Sequence, residues 1–231
     1  MNIENDLFEM RDGKYKNFVS SLIPTIDKES VIGVRIPDLR KYAKRMSSLE
    51  ISEFLSDLPH RYHEENLIHA ILISDIKDFS ACIKKLDEFL TFVDNWSVCD
   101  SLRPVIFAKF RSCLIPEVER WISSDKTYVA RFGIEMLMMH FLESDFKEEY
   151  LTAVSQTTPG DYYLNMMIAW FFATALAKQW DSTLPYVERG LQNDDIFVKT
   201  IRKANESLRI SKEQKKILKD LLEKQKNGNK K

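Results

Sequence analysis

A chain of 231 residues that is 44% hydrophobic, 30% charged and 11% aromatic can bury a sizeable core, which excludes a disordered or low-complexity protein. Six glycines and seven prolines leave too few turn residues for a fold of many short strands, so an all-β architecture is disfavoured. Thirty-four Lys and Arg against 35 Asp and Glu give a net charge of -1, and that average alone does not mark a nucleic-acid binder.

The opening MNIENDLFEMRDGKYK lacks the basic start and apolar run of an export signal. Helical spacing begins at once, with Ile3, Leu7 and Met10, then Tyr15, Phe18 and Leu22. Pro24 and the GVRIP run at 33–37 break the pattern. HRYHEE at 60–65 reads as the solvated opening of a helix rather than a metal site, because His60, His63, His69 and His140 form no HExxH pattern. Leu67, Ile68, Ile71 and Leu72, and then Cys82, Ile83, Leu86, Phe89 and Leu90, continue the helical period. Cys82, Cys99 and Cys113 are odd in number and show no CxxC spacing, which argues for a reducing compartment and against a disulfide framework or zinc ribbon. Cys99 is expected to be a buried thiol.

FVDNWSVCD at 92–100 sets Trp96 and Asp100 four apart near a helix start, placing an aromatic face and a carboxylate about one turn apart. An acidic residue there also suits a helix dipole or a partner such as Arg103, and a tryptophan suits a core. Arg131 lies in VARFGIEMLMMHFL, apolar on nearly every side, and needs an anion: a carboxylate such as Asp100 or Asp125, or a phosphate gripped by its guanidinium fork. The most apolar stretch, 162–177, is interrupted by Asn165 and Thr174 and is shorter than the roughly 20 residues that span a bilayer, so it reads as a buried helix carrying Trp170. From Ile196 onward twelve basic residues face four acidic ones, which makes the C-terminal end a basic segment on an acidic body. Within it, Ser211 with Gln214 suggests a capping box, and Ile217, Leu218, Leu221 and Leu222 form an apolar stripe on a lysine-rich end cap.

Similar helices begin near 63, 96, 127, 162 and 196, at intervals of roughly 31 to 35 residues, as helical-pair repeats do. The expected fold is an all-α helical-repeat solenoid with a concave binding surface, a single domain over 1–226 followed by a frayed tail at 227–231. In such a solenoid Trp96, Asp100, Arg131 and Trp170 come from consecutive repeats and are expected to converge on the concave face.

These residues carry a family resemblance. DGKYKNFVSSLIPTI, GVRIPDLRKYAK, YHEENLIHAILI, DNWSVCD, ARFGIEMLM, YYLNMMIAW and VKTIRKANESLRIS together resemble the AlkD-like DNA alkylation repair proteins, HEAT-like solenoids that include glycosylases for bulky or cationic alkylpurines. The resemblance implies Asp100 as the catalytic carboxylate, Trp96 and Trp170 as aromatic walls around the lesion's sugar, and Arg131 as a DNA contact. Ala173 and Ala177 stand one and two turns beyond Trp170, where the resemblance implies further cations. Lys178 and, in the basic C-terminal segment, Lys199, Arg202 and Lys203 are the remaining candidates for DNA contact, together with basic residues of the 28–45 region. The implied activity is hydrolysis of the N-glycosidic bond of cationic N3- or N7-alkylpurines in duplex DNA, with no cofactor and no metal, by a cytoplasmic monomer without membrane contact. A non-catalytic solenoid that binds damaged DNA and a protein-interaction scaffold are the alternatives.

Overall fold

Helix is the regular secondary structure throughout residues 3–228, the part of the chain that the computed structural model describes. Residues up to Arg111 form one compact unit and those from Ser112 another. The first contains α1 (Ile3–Glu9), α2 (Gly13–Leu22), α3 (Ile36–Ala43), α4 (Ser48–Phe54), α5 (His63–Ser74), α6 (Phe79–Leu90) and α7 (Trp96–Cys99), with 3-10 turns over Lys28–Ser30 and Val105–Lys109. At the boundary begins α8 (Arg111–Ile122), followed in the second unit by α9 (Thr127–His140), α10 (Glu148–Ser155), α11 (Tyr162–Lys178), α12 (Trp180–Glu188), α13 (Asp194–Glu206) and α14 (Lys212–Gly228).

The repeat spacing is real: the helix starts expected near 63, 96, 127 and 162 fall at His63, Trp96, Thr127 and Tyr162, and the one near 196 falls at Asp194. Side-chain caps explain three of them. Asn95 accepts from the Val98 N–H, Asp161 from Tyr163 and Leu164, and Asn193 from Ile196, each satisfying donors that a helix start leaves open.

In the first unit α5 packs against α1, α3, α6 and α7. Leu7, Leu39, Ile68, Ile73, Leu86 and Phe89 are wholly buried around it. The HRYHEE run differs from its expected solvated state. His63 and Glu64 are buried, and the Glu64 carboxylate accepts backbone N–H bonds from Ile32 (2.9 Å), Gly33 (2.7 Å) and Val34 (3.2 Å). These donors lie in a loop with no helix or sheet partner for them, so an anion buried beneath the loop takes the place of a ladder. Gly33 has φ 100°, and a Cβ there would lie 2.5 Å from the Asp12 carbonyl oxygen, so the loop's sharp turn requires glycine. Beyond it Pro37 enters the first turn of α3, where its missing N–H costs nothing.

Above α5 four rings stack in order: Phe54 on His60 (4.3 Å), His60 beside His69 (4.9 Å), and His69 on Phe89 (4.1 Å). His60 Nε2 and His69 Nδ1 are 2.7 Å apart, so one ring donates and the other accepts, an arrangement that holds for neutral imidazoles. Burial pushes His60 down to about 4 and His63 to about 4, and burial with the neighbouring His60 and Lys85 pushes His69 to about 3. The unfolded chain therefore takes up protons below about pH 6.5 that the folded chain refuses until about pH 4. Stability is full above pH 6.5 and falls as the pH drops through that window, by up to about 1.4 kcal/mol per pH unit for each fully buried ring. Urea midpoints at pH 7.5, 6 and 5 test this, and His69→Leu should flatten the slope. A midpoint independent of pH over that range would refute it.

In the second unit α11 packs against α9, α12 and α13. Gly133 lets α9 approach α8 closely, since a Cβ there would meet the Ile122 nitrogen at 2.7 Å. Ala173, Leu176, Val187, Phe197, Ile201, Ala204, Ile210 and Leu218 form one apolar cluster that ties α11, α12, α13 and α14 together. The capping box at Ser211 is present, with Ser211 N–H donating to Gln214 Oε1 (2.9 Å) and Gln214 N–H to Ser211 Oγ (3.2 Å). Of the expected stripe, Leu218 is buried and Leu221 and Leu222 are partly buried, but Ile217 is exposed because the contact face is narrower than the apolar stripe. Helix α14 runs on to Gly228, past the expected fraying point at 227, and residues 229–231 of that tail lie outside the described residues. No described helix is long and apolar enough to cross a membrane.

Candidate nucleic-acid interface

Trp96 and Asp100 sit on and just after α7, a single helical turn. Asp100 is its C-terminal cap, in the right-handed helical conformation, and its N–H donates to the Trp96 carbonyl at 2.8 Å. The four-residue spacing thus becomes true helical spacing, with both side chains half-buried. A carboxylate at this end of a helix does not serve the helix dipole, which favours anions at the other end. Trp96 is likewise not a core residue. Its indole N–H donates to the Leu22 carbonyl at 3.0 Å, at the end of α2, so its one polar atom is satisfied and the ring orientation is set. Cys99, between them, is the expected buried thiol.

Beside this turn lies a groove of about 310 Å³, lined by Arg40, Lys44, Ile71, Ser74, Asp75, Ser101, Arg103 and Val105. Arg40 and Lys44 are one turn apart along α3 and its cap, and Arg103 follows Asp100 by three residues. The backbone there is braced, for the Arg103 N–H donates to Ser74 Oγ (2.8 Å), which itself donates to the Ala70 carbonyl (2.6 Å). Three exposed cations against one carboxylate, Asp75, suit a phosphate backbone. Sequence reasoning pointed to the 28–45 region without resolving these residues. The readable signal was the i, i+4 cation pair on the exposed face of an amphipathic helix.

In the second unit Trp170 is 37% exposed, although α11 is apolar almost all round. Tyr162, Met166, Trp170, Thr174 and Ala177 follow one another at three- and four-residue steps, and this line of α11 is the one left accessible. Trp170 lines an open groove of about 330 Å³ with Ala173, Thr174, Ala177, Lys203, Glu206, Ser207 and Arg209. Lys203 Nζ lies 5.6 Å from the centroid of the Trp170 ring. The two alanines form part of the groove wall, and the cations come from α13 and the turn after it.

The other candidates fall differently. Arg131 is 5% exposed, and its Nη1 donates to the Tyr163 carbonyl at 2.8 Å, so a main-chain oxygen of α11 is among its partners. Lys178 pairs with Glu143 (2.9 Å). Lys199 pairs with Asp195 and lies 4.9 Å from the Tyr162 ring centroid. Arg202 is exposed on α13. Lys203 is thus the candidate cation that meets a candidate tryptophan.

Residues 3–208 match the family described as DNA alkylation repair enzyme. The chain belongs to that family. No curated protein matches the sequence. Family membership agrees with the all-helical repeat fold and gives the protein a role in alkylation repair, with DNA as its partner.

Proposed function

We propose that this protein is a monofunctional DNA glycosylase that hydrolyses the N-glycosidic bond of cationic N3- or N7-alkylpurines in duplex DNA. Asp100 is the catalytic carboxylate, Trp96 the aromatic face beside it, and Trp170 a second contact to the lesion or its sugar. The observation that carries the reading is the α7 turn, where an indole held through its N–H to Leu22 and a half-buried carboxylate follow each other by one helical turn.

The chemistry asks for little more. Alkylation leaves the purine positively charged, so the electron pair of the glycosidic bond departs with the base and neutralises it without an acid to protonate the leaving group. The sugar acquires oxocarbenium-like charge at C1′, water adds there, and one proton is released. A carboxylate stabilises that charge and orients the water, while an indole attracts a cation through its quadrupole. Arg40, Lys44 and Arg103 suit the flanking phosphates.

The test is incubation with a duplex oligonucleotide carrying a single N7-methylguanine, in chelator and without added cofactor. Free 7-methylguanine and an abasic site are expected. Release of no base from any cationic alkylpurine would overturn the reading, and persistent binding in that case would leave a DNA-binding protein without turnover.

A further inference from the structure

Leu208 is 99% exposed, far beyond Trp170 at 37% or Phe18 at 57%. It stands in the turn between α13 and α14, and that turn is built firmly on both sides of it. The Ser207 N–H donates to the Ala204 carbonyl (3.1 Å), the Arg209 N–H donates to Ser207 Oγ (3.2 Å), and Ile210 is buried in the apolar cluster. A leucine held out in water by a braced turn gains nothing from folding. The same turn supplies Ser207 and Arg209 to the Trp170 groove, where Lys203 and Arg209 face one carboxylate, Glu206. Arg202 is exposed on the same helix as Lys203.

An apolar tip next to cations at the mouth of a groove has a use on duplex DNA. Apolar side chains enter base steps from the minor groove and unstack them, while arginine and lysine take the phosphates and the groove's negative potential. We propose that the turn at 207–210 is a DNA-probing finger: Leu208 inserts between base pairs from the minor groove, and Arg209 and Lys203 hold the backbone beside it. The proposal rests on duplex DNA being the ligand of the site described above. Unstacking costs least where a damaged base already stacks poorly, so the finger would help the protein stop at a lesion rather than at intact sequence.

The test uses the full-length protein and duplexes containing 2-aminopurine, whose fluorescence rises on unstacking. The wild type should raise the signal on binding. Leu208→Ser, at a position with no packing to lose, should keep its thermal midpoint and bind within about threefold of wild type while losing most of the rise, since the phosphate contacts that dominate affinity remain. Arg209→Ala and Lys203→Ala should weaken binding and each lower the salt slope of log affinity by about 0.9. A wild type that binds without unstacking, a full signal from Leu208→Ser, or no duplex binding at low salt would overturn the finger. Base release separates it from the catalytic reading: full release with an unchanged Leu208→Ser signal refutes the finger alone, and unstacking through Leu208 without release refutes glycosylase activity alone.

Discussion

Replacing Asp100 with Asn should slow release of 7-methylguanine about a hundredfold, corresponding to about 3 kcal/mol of transition-state stabilisation. Affinity for the same duplex should change by less than about threefold, because the ground-state grip lies in phosphate contacts. The substitution keeps the size of the side chain and removes its charge. Asp100 caps α7 through its own N–H, a backbone bond that Asn retains, so the turn and the Trp96 geometry survive. Single-turnover release and fluorescence anisotropy measured on the same preparation check both halves. If Asp100→Asn releases base as fast as wild type, Asp100 is not the catalytic carboxylate. Trp96→Ala should cost less, about 1 to 2 kcal/mol in the same assay, as befits a cation facing a ring.

Glu64→Ala should cost about 3 to 5 kcal/mol of stability, a large share of what a domain of this size possesses. Three backbone donors, those of Ile32, Gly33 and Val34, lose their acceptor at once in a place that Glu64 itself keeps 1% exposed. Glu64→Gln should fall between wild type and Ala. Its one oxygen still accepts, but its amide nitrogen faces a donor with a donor. Urea unfolding of the three proteins gives the ranking, and a Glu64→Ala midpoint equal to wild type would show that the carboxylate does not hold the loop. Because that loop leads directly into α3, which carries Arg40, the same variant should also lose duplex affinity.

Local chemistry was legible in the sequence wherever both partners are near neighbours. Ser211 with Gln214 is readable because a cap and its donors lie within three residues. The Trp96–Asp100 pair is legible because its geometry is one helical turn. Contacts between distant segments were not. Glu64 looks solvated until the loop at 32–34 closes over it, and the bond from Arg131 to the Tyr163 carbonyl spans 32 residues. Trp170 is hidden by its own helix, since a segment apolar on every side does not reveal which line faces water. The pairing of Lys178 with Glu143 likewise joins separate segments and is not visible in the sequence.

The helix that holds Trp96 in place is itself lightly held. Every side chain of α2 remains at least partly accessible, and the anchors lie at its two ends, where Asp12 caps it and Ile23 is buried. Such a segment belongs to the class that opens locally at low free-energy cost, well before the wholly buried α5 neighbours Ile68 and Ile73 feel anything. Opening of α2 would release the Leu22 carbonyl and with it the indole, so the set orientation of Trp96 depends on the local stability of α2. A distant change that merely loosens α2 would therefore reach the carboxylate's neighbour without touching either residue.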